Sequence, residues 1–129
     1  MSLTRGQVID TAVSILTRFG LADLSMRRLA RELDVQPGAL YWHVENKQAL
    51  LVEVAARLLD TVPAGVGRDG DEPAADLKRL VVAVRRALVP IPDAADVVAV
   101  AWAVDPGSVP ALVAMRALVD DLVEPKAQA

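Results

Sequence analysis

LSMRRLARELDVQPGALYWHVENKQALL, residues 24–51, is the stretch on which the rest of the chain is organised. Met26, Leu29, Ala30 and Leu33 recur at helical spacing and give a short helix one apolar face, with Arg27, Arg28 and Arg31 on its outer side. Ser25 suits the N-cap of that helix, because its hydroxyl can accept a bond from an otherwise unpartnered N–H of the first turn. Asp34-Val35-Gln36 makes a tight turn. Pro37 then opens a second helix, expected over about Pro37 to His43, at a position where a proline's missing N–H costs nothing. Leu40 and Val44 face inward, which leaves Gln36, Ala39, Tyr41, Trp42 and His43 outside or at the edge. Asn46 suits the N-cap of a third helix.

Two short helices joined by a tight turn are either a plain helical hairpin or a helix-turn-helix, and the pattern alone leaves both open. The outward Tyr, Trp and His bear on the choice. A helix of two turns that keeps such side chains at its surface has the layout of one that meets base edges and phosphates in a major groove.

The residues are more specific than the pattern. The whole stretch resembles the DNA-binding region of the tetracycline-repressor (TetR) family of bacterial regulators, and GALYWHVENKQALL is similar to the tetracycline repressors proper. TRGQVIDTAVSILTRFGLADLSM, starting at Thr4, resembles that family's first helix. The resemblance implies an all-α chain. A helix-turn-helix head is expected over residues 1–48, with a connecting helix over about 46–61 and a helical effector-binding and dimerisation region over 62–129.

Composition sets few limits. The chain has 129 residues, is 53% hydrophobic and carries a net charge of −3, so a basic surface, if present, must be local. With no cysteine and one histidine there is no basis for a disulfide framework or a His/Cys metal site, and no metal or cofactor is expected. No nucleophile–base pair or phosphate loop is recognisable, so an enzyme is not expected. No apolar run reaches the ~20 residues of a membrane span and no signal-like start is seen, so a cytoplasmic location is expected.

Along the chain, Thr4 is expected to cap a helix to about Phe19, buried through Val8, Ile9, Ala12, Val13, Leu16 and Phe19 and ended by Gly20. The connecting helix buries Leu50, Leu51, Val54, Ala55, Leu58 and Leu59. Val62 to Pro73, rich in Gly, Pro and Asp, reads as a linker. An amphipathic helix follows over Ala74–Val89. Ala94–Val104 is almost wholly apolar and suits a helix buried on most sides, although its valines also allow a strand. Ser108 is expected to cap a last helix to about Val123.

DNA contact is expected from Thr4, Ser25, Arg27, Arg28, Gln36, Pro37, Gly38, Ala39, Tyr41, Trp42, His43, Asn46 and Lys47. Lys47 and Asn46 lie at a helix N-terminus that favours phosphate, and Thr4, Ser25, Tyr41 and His43 add polar groups. Arg27, at the position from which related repressors reach a base, can bond a guanine edge twice, for ~1–3 kcal/mol of discrimination. Gln36 can pair with an adenine edge. Where the tetracycline repressors have a Gln-Pro-Thr arrangement set one place later, this chain has QPGA, so its operator is expected to differ from theirs.

RRALVPIPDAADVVAVAWAVDPGS resembles the start of the family's effector domain more weakly. Pro90, Val98, Ala101, Trp102, Asp105 and Met115 are candidate pocket residues, with ordinary core as the competing reading. Ala101 falls where the tetracycline repressors carry a histidine that helps hold magnesium–tetracycline, so that effector is not expected and an apolar or mixed one is. Family members continue well past the equivalent of Val123, so this chain reads as a shortened form. A homodimer on a palindromic operator is nonetheless expected, released by a small-molecule effector, because one head reads too few base pairs. The alternative is a small helical ligand-binding or scaffold protein that kept the fold without DNA binding, a reading the acidic net charge supports.

Overall fold

A computed structural model describes residues 2–62 and 72–123. Among them the chain is all-α: α1 (Arg5–Phe19), α2 (Met26–Leu33), α3 (Pro37–Leu40), α4 (Lys47–Leu58), α5 (Pro73–Leu88), α6 (Ala94–Val104) and α7 (Pro110–Val123). Two 3₁₀ turns, Leu21–Asp23 and Pro106–Ser108, join α1 to α2 and α6 to α7. No strand occurs among the described residues, so the valines of α6 are helical.

The first four helices begin and end where local chemistry dictates. Thr4 and Gln7 form a reciprocal capping box. The Thr4 hydroxyl accepts from Gln7 N–H at 3.1 Å, and Gln7 Oε1 accepts from Thr4 N–H at 2.8 Å. Thr4→Ala is expected to lower stability by about 0.5–2 kcal/mol, measured by thermal denaturation. Ser25 Oγ accepts from Arg28 N–H at 3.0 Å, and Asn46 Oδ1 accepts from Ala49 N–H at 2.8 Å. α2 closes on Asp34 in the left-handed region (φ 55, ψ 47), with Asp34 N–H bonded to Arg31 C=O and Val35 N–H to Ala30 C=O. That pair of bonds is a Schellman closure. It turns the chain sharply enough for α3 to cross α2.

One core runs through the molecule. α1 contributes Val8, Ile9, Ala12, Ile15 and Leu16, α2 contributes Leu29 and Ala30, and Leu24, Leu40 and Val44 fill the space around the turn. α4 is buried at Leu50, Leu51, Val52, Val54, Ala55 and Leu58, more broadly than any other helix. Its position explains why. It packs on α1 on one side and along α6 on the other. Ala94, Val97 and Ala101 form the α6 stripe at that contact, and the two alanines allow the backbones to approach closely. α5 and α7 pair beside them. Arg5–Glu53 and Arg57–Asp10 ion pairs tie α1 to α4 at the surface.

Several expectations need correction. α3 is one turn long. Tyr41, Trp42 and His43 lie beyond it in turns closed by His43 N–H to Leu40 C=O at 2.9 Å and Val44 N–H to Leu40 C=O at 3.0 Å. Phe19 is 45% exposed, because the chain turns away at Gly20 and Ile15 takes the inward position. The Phe19 ring is covered instead by the Arg18 and Arg28 guanidiniums, 4.9 and 4.5 Å from its centroid. α6 is buried on one stripe and not on most sides: Trp102 and Val104 are exposed. Ser108 does not cap the last helix. It ends the second 3₁₀ turn and donates its hydroxyl to Asp105, while Pro110 opens α7. Val62 lies past the end of α4, as expected for the linker, and is buried. The rest of that linker, residues 63–71, lies outside the described residues.

Candidate nucleic-acid interface

The surface around α3 and the start of α4 combines rigid anchoring with exposed chemistry. Leu40 and Val44, 0% and 3% exposed, fix the segment to the core from its two ends. Between them Trp42 is 89% exposed and Tyr41 52%. Trp42 is thus held by buried neighbours yet has almost no protein contact of its own, the opposite of what a Trp placed for stability shows. His43 is half-buried beside it.

The other residues of the segment share that face. Gln36, Pro37 and Gly38 are exposed and Ala39 is half-buried. Gly38 is informative. A Cβ built on it would meet no atom within 4 Å, so nothing inside the chain requires glycine there.

Asn46 and Lys47 are exposed at the N-terminus of α4. The Asn46 side chain satisfies the Ala49 N–H. The earlier N–H groups of that helix, with the positive end of its dipole, remain available to an anion. Lys47 has no ion-pair partner among the described residues, and neither does Arg27, exposed on α2. Thr4 is exposed and Ser25 half-buried, and each already uses its oxygen as a helix cap.

Arg28 is differently placed. Its guanidinium bonds Glu32 at 3.3 and 3.4 Å and lies over Phe19, and Arg18 reaches the same Glu32 at 3.5 Å. This clasp between α1 and α2 gives Arg28 a structural use in the free protein.

The six residues expected at an effector pocket differ widely in exposure. Ala101 is buried in the α6 stripe, Val98 and Met115 are half-buried, and Pro90, Trp102 and Asp105 are exposed. Asp105 lines a polar 340 Å³ cleft with Arg5, Glu45 and Asn46 of the head. A groove of 440 Å³ lies at the α5–α6 corner, walled by Val81, Val84, Leu88 and Ile91 with Arg85 and Asp93 at its edges. Asp93 escaped the sequence reading. Its Oδ2 accepts from Leu21 N–H at 2.9 Å across 72 residues, a link that no local pattern encodes. No helix of the described residues is long and apolar enough to cross a membrane.

Residues 8–54 match the family described as bacterial regulatory proteins, tetR family. The tetracycline repressor protein class D of Escherichia coli is 39% identical over 100 residues, covering 74% of this chain. The chain spans 44% of that repressor's length. Among solved structures, BioQ with its double-stranded DNA operator is 37% identical with a TM-score of 0.68, covering 94% of this chain and 68% of that one. ActR of Streptomyces coelicolor in complex with (S)-DNPA is 34% identical with a TM-score of 0.70, covering 90% of this chain and 56% of that one.

Proposed function

Given that this chain belongs to the TetR family of bacterial regulators, we propose that it is a sequence-specific DNA-binding transcriptional regulator. It docks α3 and the Tyr41–His43 turn in the major groove and represses transcription until a small-molecule effector releases it. The exposure of Trp42, at 89% on a segment pinned by Leu40 and Val44, carries this reading. The relatives named above include a repressor and a protein solved with its double-stranded DNA operator, and we read this chain as a regulator and not an enzyme.

Residues 1–48 form the head, α4 connects it, and the helices after residue 62 take the effector and pair two subunits. Phosphates are met by Lys47, by the N–H groups at the start of α4, and by the Tyr41, Thr4 and His43 side chains. Bases are read by Arg27 and Gln36, with apolar contact from Pro37, Ala39 and Trp42. Gly38 has no internal reason to be glycine, which fits close approach of an outside surface. Two copies on a palindrome place two heads one helical turn apart. The effector is expected to be apolar or mixed, since the head's His43 is the chain's single histidine.

The test is a gel shift against duplexes selected by the protein from a random pool. Wild type is expected to select a palindrome and to lose affinity steeply with salt. Arg27→Ala should lose ~1–3 kcal/mol per head and relax preference at one base position. Failure to enrich any duplex at low salt would overturn the reading and favour a scaffold that kept the fold alone. Gly38→Val is expected to leave the thermal midpoint within a few degrees of wild type, at about ±0.5 kcal/mol for an exposed site. It should nonetheless weaken the selected complex by about tenfold or more, the equivalent of about 1.4 kcal/mol of lost fit.

A further inference from the structure

Asp93 precedes α6 in the left-handed region, at φ 58 and ψ 13, and makes no side-chain cap bond to its own helix. An aspartate here would ordinarily bond the N–H groups of the turn that follows. Its Oδ2 instead accepts from Leu21 N–H at 2.9 Å. Leu21 follows Gly20, where α1 ends at φ 87, and a Cβ on Gly20 would come within 2.9 Å of that same oxygen. Three departures from local preference therefore meet at one point: a left-handed aspartate, a forgone helix cap, and a glycine that leaves room for the carboxylate. Local rules are broken together where the surrounding structure requires it. The result is a polar link from the residue just before α6 to the joint between α1 and α2, which leads into the helix-turn-helix.

We propose that Asp93 is a latch, a positioning residue that fixes the head against the α5–α6 corner. The proposal rests on the DNA-binding reading above. Asp93 also edges the 440 Å³ groove walled by Val84, Leu88 and Ile91. Two heads must match a fixed half-site spacing. A loosened latch therefore weakens binding to a duplex with both half-sites and spares binding to a single half-site.

The variants are Asp93→Gly, which removes the carboxylate while relaxing the backbone, and Asp93→Asn, which keeps an acceptor oxygen and tolerates the left-handed conformation. The probes are the duplex selected by wild type and its single half-site. Asp93→Gly is expected to bind the full duplex roughly tenfold more weakly. Its half-site affinity should not change, and the Leu21 amide should lose protection from hydrogen exchange. Asp93→Asn should restore both readouts to near wild type. Should Asp93→Gly fail to fold, Asp93→Ser, whose side chain is one bond too short to reach the Leu21 N–H, is expected to give the same loss on the full duplex. Wild-type affinity in Asp93→Gly, or an Asp93→Asn as weak as Asp93→Gly, overturns the latch while leaving DNA binding intact. A wild type that binds no duplex overturns the DNA reading, and the latch with it.

Discussion

Leu50→Ala is expected to lower the stability of the fold by about 2–5 kcal/mol, more than any other single truncation considered. Leu50 is fully buried in the first turn of α4, the helix that packs on both α1 and α6. Truncation removes apolar burial and opens a cavity that neighbours from two directions cannot both close. The position also lies four residues after Asn46, so loosening it frees the end of α4 that carries Lys47. Urea denaturation followed by circular dichroism measures the loss. Leu122→Ala is the control, because Leu122 is 44% exposed near the end of α7 and its truncation should stay within about ±0.5 kcal/mol. Equal effects for the two would mean that α4 is not the centre of the core.

The second large effect concerns affinity. Tyr41→Ala with Lys47→Ala is expected to weaken the selected duplex by at least about 100-fold, since hydrogen bonds to charged groups contribute about 1.5–3 kcal/mol each. A two-headed complex makes each contact twice. Both side chains are exposed, so the fold should be intact and the thermal midpoint near wild type. Fluorescence anisotropy at a fixed salt concentration measures the change, and the dependence on salt should flatten as Lys47 is removed. Unchanged affinity in this double variant would show that the duplex is held elsewhere.

How much of this was legible in the sequence follows from the range of each interaction. Thr4, Ser25 and Asn46 act on N–H groups three residues on, and the turn at Asp34 is closed by its own neighbours, so the helix-turn-helix could be read from consecutive residues. The apolar stripe of α4 was readable for the same reason, although Val52 was missed because both flanks of that helix are covered. What escaped was decided by distant partners. Phe19 fits the helical period of α1, but its surroundings are set by Arg28 and by the turn at Gly20. Asp93 looks like an ordinary helix cap until the chain folds and brings Leu21 to it. The extent of α3 was overestimated because Tyr41 and Trp42 are compatible with helix, while the bonds to Leu40 tighten the backbone into turns. For the candidate interface, exposure of Tyr41 and Trp42 followed from the inward spacing of Leu40 and Val44. The unequal exposure of Pro90, Val98, Ala101, Trp102, Asp105 and Met115 did not follow from anything local, because which face of a helix is covered depends on several helices at once.

The most direct test of the interface uses the chain's two tryptophans. In Trp102→Phe, Trp42 is the sole tryptophan, and it is 89% exposed in the free protein. Titrating this variant with the selected duplex should quench or blue-shift its emission in step with binding, as the indole leaves water for the groove. Saturated binding with an unmoved Trp42 spectrum would contradict the claim that this surface is the one that meets DNA.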